Sequence, residues 1–258
     1  IARSRWPPSA DDVPAADAPS LFVSDLHLSP LRPAPLAAFH ALARGPARDA
    51  ASVYVLGDLF DWWIGDDQLA DAYAAAVAQS LRGVSDAGVA LFVARGNRDF
   101  LLGQRFVDGT AATMLPEQQV VELAGVRTLV THGDELCTGD AEYQAYRARI
   151  RSPQSVRRLL SMPPVARRGI AWWLRRKSRS ATALKPESIT DVAAAAVDDA
   201  FRAHDVPRMI HGHTHRPARH HLVVDGAPRE RIVLADWHDR GHVLEASRGN
   251  LRDYDIDP

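Results

Sequence analysis

A single cysteine, Cys137, is all the chain carries. No internal disulfide can form, a thiolate zinc cage is excluded, and a reducing compartment is the expectation. No run of about 18 apolar residues occurs, so no membrane-crossing helix is expected. Neither sign of charge is in excess: 31 Lys and Arg stand against 32 Asp and Glu, a formal net charge of -1. Nothing in that balance gathers nucleic acid, and none is expected as a partner. The opening residues, rich in Pro, Ala and Asp, lack the apolar stretch of a signal peptide and read as a flexible extension over 1–19. One stretch lacks one sign altogether: from Arg147 to Arg179 there are eleven Arg or Lys and no Asp or Glu.

What is present is ordinary globular chain, 258 residues with 46% apolar and 24% charged. That suffices for one α/β domain with a core, with room for an insertion. Apolar strands over Leu21–Ser24, Ser52–Leu56 and Val89–Ala94 alternate with Ala- and Leu-rich helical stretches over Pro35–Arg44 and Asp71–Asp86, the order of a parallel sheet. Runs over Gln119–Leu123 and Thr128–Thr131 read as a hairpin across Ala124-Gly125. Pro153 and Pro163-Pro164 divide the basic stretch into short helical pieces. A helix is predicted over Glu187–His204. Strands over Arg208–Ile210, His221–Val224, Arg231–Leu234 and His242–Glu245 are predicted to form a second, partly antiparallel sheet.

The chemistry lies at the strand ends. In parallel α/β sheets ligands bind beyond the carboxyl ends of the strands. There the chain places Asp25-Leu26-His27, Gly57-Asp58, Gly96-Asn97-Arg98-Asp99, His132 and Gly212-His213-Thr214-His215. Together these offer Asp25, His27, Asp58, Asn97, His132, His213 and His215, a set of imidazole and oxygen donors that suits Mn, Fe or Zn. A carboxylate can bridge two cations that clamp a phosphoryl group between them, and Asp58, central in the series, is the expected bridge. Singly, each motif is common loop chemistry; five in this order define a metal site.

These motifs resemble the calcineurin-like metallophosphoesterase superfamily, whose D-x-H, G-D, G-N-H-D, H and G-H-x-H pattern is met over residues 21 to about 240. The resemblance implies an α/β fold, a two-sheet αββα sandwich. Carried over, Asp25, His27, Asp58 and His215 hold one metal, and Asp58, Asn97, His132 and His213 the other. One position departs: where the superfamily has a histidine thought to protonate the leaving group, this chain has Arg98. Arginine does not release its proton near neutral pH, but it can grip phosphate and offset developing charge. A phosphate leaving from a pyrophosphate needs little protonation, so the departure favours an anhydride over a simple ester.

The longer strings SDLHLS, LGDLFDWWIGDD, GNRDFLLG, HGDELCTGDAEYQAYR and HGHTHRPA are similar to one family within that superfamily, the UDP-2,3-diacylglucosamine pyrophosphatases of lipid A synthesis. That similarity implies hydrolysis to UMP and 2,3-diacylglucosamine 1-phosphate (lipid X), with two Mn²⁺ and water attack on the α-phosphorus. Asp58, Asn97 and Arg98 are then catalytic. Asn97, Arg98, Asp140, Ser178, Thr182, Lys185 and His213 contact substrate, although the family commonly has Asn at the position of Thr182. It further implies a helical cap insertion over 140–185, set in a metallophosphoesterase domain of 20–139 and 186–258. The basic, Trp-bearing stretch with Trp172-Trp173 suits an anionic lipid interface. A monomer at the cytoplasmic face of the inner membrane is expected. A soluble nucleotide or phosphoprotein phosphatase on the same scaffold is the alternative, and it leaves that stretch unexplained. A metal-free binding scaffold is disfavoured because every ligand position is filled. Trp63 lines the site or fills the core. His211 is read as structural or as supporting a ligand, Cys137 as no nucleophile, Asp61 and Asp99 as groups orienting ligands, and Asp134 as shaping its turn.

Overall fold

The computed structural model describes residues 18–182, 191–248 and 250–258. Strands β1 (Ser20–Val23), β2 (Ser52–Leu56) and β3 (Ala90–Ala94) are linked by helices α1 (Pro33–Arg44) and α2 (Ala72–Asp86). They pair in parallel, and β3 pairs with the short β4 (Thr113–Met114) after helix α3 (Gln104–Thr110). Every residue of β2 is buried, as expected of a central strand covered on both faces. Side-chain alternation divides each strand between two cores. Leu21, Val23, Val53 and Val55 face Phe39, Leu42, Val77 and Leu81 of α1 and α2. Phe22, Tyr54 and Phe92 face the other way and stack at centroid spacings of 4.6 and 4.7 Å.

The second sheet runs β5-β6-β7-β9-β8, built from β5 (Gln118–Leu123), β6 (Val126–Thr131), β7 (Arg208–His211), β8 (Ala218–Val224) and β9 (Ala227–Val233). Val130, Ile210 and Ile232 meet the aromatic row of the first sheet. On the outer face, Leu129 and Met209 pack against Val197 and Phe201 of α7 (Ala194–His204). The layers are therefore helix, sheet, sheet, helix, as the resemblance implies.

The strand predicted around His242–Glu245 belongs elsewhere. As β10 (Gly241–Ser247) it pairs antiparallel with β1 in the first sheet. Val243 enters the helix-side core and Leu244 the inter-sheet core; both faces must be covered, which only the inner sheet position allows. It in turn pairs with β11 (Asn250–Ile256), a polar edge strand the sequence did not signal. The helix predicted over 187–204 begins at Ala194 within the described residues, and Asp191–Ala193 is not helical.

Between β6 and α7 the described residues form helices α4 (Ala141–Ile150), α5 (Pro153–Leu160) and α6 (Pro164–Thr182). Two begin at a proline, whose missing N–H is harmless in the first turn. Side chains of Asp140 and Ser152 accept N–H bonds from Tyr143 and Ser155, capping α4 and α5. Part of the one-signed charge is spent on docking. Arg167 donates to the Ile64 carbonyl and pairs with Asp67, and Arg168 pairs with Asp71 at 2.7 Å. No helix among the described residues is long and apolar enough to cross a membrane.

Candidate metal centre

Loops at the carboxyl ends of β1, β2, β3, β6 and β7 converge on one point. Asp25, His27 and His215 offer ligand atoms within 4.8 Å of one another, and so do Asp25, Asp58 and His132. Asp58 stands between the groups: Oδ2 is 3.8 Å from His27 Nδ1, and Oδ1 is 3.8 Å from His132 Nε2. Asn97 Oδ1 lies 3.1 Å from His132 Nε2 and 2.9 Å from His213 Nδ1. All seven sequence-derived ligands are thus in one cluster.

The backbone gives way to make this possible. Asp25, His27, Asp58, His213 and His215 adopt φ of 55°, 49°, 52°, 70° and 54°. That region disfavours any residue bearing a Cβ and persists only where surroundings enforce it. Close approach does the enforcing. A Cβ on Gly96 would come within 2.1 Å of Asp58 Oδ1, and one on Gly212 within 2.2 Å of Asp25 Oδ2. Asp99 accepts N–H bonds from Leu59 at 2.8 Å and Gly96 at 2.7 Å, and a longer one from Asp58, tying the second and third loops together.

The donor set fits divalent cations. Asp25 Oδ1 and His27 Nδ1 are buried without hydrogen-bond partners, an arrangement that is costly unless something positive completes it. His132 Nδ1 is 2.9 Å from the Leu56 carbonyl, so it carries the proton and leaves a lone pair on Nε2, aimed at Asn97. His215 Nδ1 is 3.0 Å from Asp236 Oδ2, which leaves the Nε2 lone pair 3.2 Å from His27 Nε2 and 3.4 Å from Asp25 Oδ1. This is the carboxylate–histidine arrangement that fixes a ligating tautomer. Protonation reports the same demand for positive charge. Burial lowers the His215 pKa, but the carboxylates of Asp236 and Asp25 beside it override that and push it up to about 9. Burial and the charge on His132 drive His213 down to about 3. Burial and the Asp25 charge raise Asp58, against His132 and Arg98.

Arg98 donates its backbone N–H to Asp58 Oδ1 at 2.8 Å, and its guanidinium lies 3.4 Å from Asp58 and 3.0 Å from Asp61. Asp61 thus orients the arginine. Trp63 is buried in the helix-side core, stacked on Phe60 at 4.5 Å, and does not line the site. His211 is buried and bonded to the Gly212 carbonyl at 2.9 Å, a structural role. Burial pushes the Cys137 thiol up to about 12. Asp134 does more than shape a turn. It accepts from Tyr143 Oη at 2.9 Å, Arg147 Nε at 2.8 Å and Arg151 Nη2 at 2.7 Å. Arg151 also reaches the Gly96 carbonyl at 3.0 Å, and the Tyr143 ring stacks 6.2 Å from that of His213. Asp140 caps α4 beside this hub. Ser178 and Thr182 fall on α6, but their side chains, and all of Lys185, lie outside the described residues.

Sequence reasoning missed Asp236, Tyr143, Arg147 and Arg151. Asp236 had a signal: it follows the apolar run Ile232–Leu234 as Asp25 and Asp58 follow theirs. The hub had a weaker one: Asp134, Tyr143 and Arg147 stand in the string that begins at His132, and Tyr143, Arg147 and Arg151 recur every four residues, but nothing local joins them to Asp134.

A site of this donor set, at the strand ends of a two-sheet sandwich, is that of a metal-dependent phosphoesterase. The chain belongs to the calcineurin-like phosphoesterase family, which matches residues 18–217. Within it, the chain is similar to proteins named UDP-2,3-diacylglucosamine hydrolase. Identity is 46% over 239 residues to that of Cellvibrio japonicus, covering 92% of this chain and 99% of the other. It is 45% to that of Pseudomonas putida, covering 87% and 93%, and 44% to that of Shigella sonnei, covering 90% and 96%.

Proposed function

We propose that the chain hydrolyses the pyrophosphate bond of UDP-2,3-diacylglucosamine, releasing UMP and 2,3-diacylglucosamine 1-phosphate, with water attacking the α-phosphorus. The observation that carries this reading is the seven-ligand cluster with Arg98 beside it, in a chain nearly half identical to hydrolases of that name. Asp25, His27, Asp58 and His215 hold one cation; Asp58, Asn97, His132 and His213 hold the other. Mn²⁺ in both places suits the mixed imidazole and oxygen donors. Such a pair, when bound, polarises phosphoryl oxygens and lowers the pKa of water.

The chain's own groups do the rest. Asp236 and the Leu56 carbonyl fix the tautomers of His215 and His132. Arg98, braced by Asp61, grips the phosphate and offsets charge without giving up a proton. Asp140, Ser178, Thr182 and Lys185 bind the glucosamine phosphate headgroup, with Asn97 and His213 next to the phosphate. Residues 140–185 form the cap over the site. Its exposed Val165, Trp172 and Trp173, with basic residues of the same stretch, meet acyl chains and the anionic cytoplasmic face of the inner membrane. The acting unit is a monomer.

The test is Mn²⁺-dependent release of UMP from the lipid nucleotide in mixed micelles, with Asp58→Ala and Arg98→Ala alongside. Asp58→Ala should abolish turnover and lower bound metal. Arg98→Ala should slow turnover by about 10²–10³-fold with both metals retained. Absence of UMP release by metal-loaded wild type would refute the substrate, and loss of metal from Arg98→Ala would refute the role given to that arginine.

A further inference from the structure

On the outer face of the second sheet, behind the His213–His215 loop, is a cavity of about 230 Å³ walled by Asp191, Thr214, Arg216, His220 and Arg231, with Pro217, Ala218 and Val233 as its apolar part. Arg231 is the anomaly. It is buried on β9, 9% exposed, and one of its nitrogens lies 3.2 Å from His211 Nε2. His211 Nδ1 is bonded to the Gly212 carbonyl at 2.9 Å, so its Nε2 accepts from the guanidinium. Among the described residues no carboxylate comes within ion-pairing distance of Arg231. The one acidic wall residue, Asp191, is engaged by Arg216 at 3.1 Å and by the Val192 N–H at 2.7 Å. Asp191 attracts Arg231 only from a distance, and a buried cation with no ion pair of its own is costly and seldom left so. Thr214 Oγ1, on the same cavity, is also buried without a partner. His220 lies directly across the strand pair from Arg231 and supplies a third polar group.

We infer that this cavity is a binding site for a phosphate-type oxyanion, seated on the Arg231 guanidinium with Thr214 Oγ1 as a further donor. A cation would meet two guanidiniums and one already paired carboxylate. An apolar ligand would leave Arg231 and Thr214 unsatisfied. An oxyanion accepts from both, and guanidinium suits it bidentately. The cavity leaves room beyond a single phosphate, so the anion can be the phosphate of a nucleotide or a free phosphate. The wall is shared with the metal centre: Thr214 stands between His213 and His215, and the path Arg231–His211–Gly212 ends at His213. The nucleotide assignment rests on the proposed reaction, because UMP is its product. The oxyanion assignment does not.

The experiment follows the His220 imidazole by NMR in full-length protein loaded with diamagnetic Mg²⁺, titrated separately with inorganic phosphate, UMP and uridine. Saturable shifts are expected with phosphate and UMP and not with uridine. Arg231→Gln should weaken them by about ten-fold or more, and Thr214→Val by less, in variants whose melting curves show a folded chain. UMP binding tighter than phosphate by about ten-fold would assign the nucleotide; equal affinities would assign a free oxyanion. No saturable shift with either anion in the wild type, or shifts unaltered in both variants, would overturn the inference. If Arg231→Gln does not fold, the wild-type titration and Thr214→Val decide it. Because turnover is not read, failure here leaves the proposed hydrolysis intact, and failure of that hydrolysis leaves the oxyanion site intact.

Discussion

Five side chains that carry a Cβ occupy left-handed backbone at the centre of this molecule, and each is a candidate ligand. The conformation turns Asp25, His27, Asp58, His213 and His215 off their strands toward a common point, and groups outside the ligand set hold them there. Asp236 is the plainest of these. Replacing it by Ala removes the acceptor that keeps the His215 proton on Nδ1 and frees Nε2. Metal titration of Asp236→Ala should show one cation bound about 10–100-fold more weakly, with the other unchanged; equal loss at both would deny it a role specific to His215. Glu135 presents a different physics. It is buried, Oε1 accepts from Thr131 and Gln118, and Oε2 has no partner. Burial raises its pKa despite those bonds. A carboxyl whose folded pKa exceeds its unfolded value is favoured in its protonated form. Its contribution is fully present below the unfolded value near 4.5 and is lost as pH rises through the folded one. Glu135→Gln should therefore match wild type in denaturant stability near pH 4 and become the more stable form toward pH 8. A gap that is constant across this range would contradict the argument.

Elements differed in how openly they declared themselves. The strands that end in ligands were readable because two signals coincide: a short apolar run, then a polar residue at the carboxyl end. Leu21–Ser24, Ser52–Leu56 and Val89–Ala94 match observed strands to within a residue. β11 was silent because Asn250–Ile256 alternates polar groups at an exposed edge, and α3 because seven residues including a glycine show too little period. The attachment of α4 and α5 was unreadable for another reason. It depends on one buried carboxylate meeting two arginines, Arg147 and Arg151, thirteen and seventeen residues away. That hub also holds the Gly96 carbonyl next to Asn97. Asp134→Ala leaves both guanidiniums, their side chains 12% and 19% exposed, with the half-exposed Glu117 as their remaining carboxylate partner. Breaking a fully buried pair costs about 3–5 kcal/mol, and partial exposure with Glu117 still in place puts this loss at or below the lower figure. Urea denaturation should register it; a loss under about 1 kcal/mol would mean that the helices are held chiefly by their other contacts.

For the whole molecule, sequence order identified two sheets but not their membership. β10 returns to the first sheet after the chain has built the second, a pairing fixed by what covers Val243 and Leu244 and not by local pattern. The basic stretch was legible as composition; the fold spends part of its charge on the body. Arg147, Arg151, Arg167 and Arg168 are spent on carboxylates of the body. Beside the remainder, Trp172 and Trp173 stand 55% and 54% exposed and Val165 76%, with the Arg176 guanidinium 5.7 Å from the Trp172 ring centroid. Exposed indoles among cations bury apolar surface poorly in water and well at the boundary of an anionic bilayer, where each nearby basic residue adds about 1 kcal/mol. Full-length protein should therefore sediment with phosphatidylglycerol-containing vesicles and not with purely zwitterionic ones. The association should weaken as salt rises, and the tryptophan emission should shift to the blue on binding. Trp172→Ser with Trp173→Ser should reduce that partitioning by about ten-fold while metal content stays at the wild-type level, since neither residue touches the ligand cluster. Equal partitioning to neutral and anionic vesicles, or binding indifferent to the double substitution, would assign the exposed indoles to the acyl chains of the substrate alone.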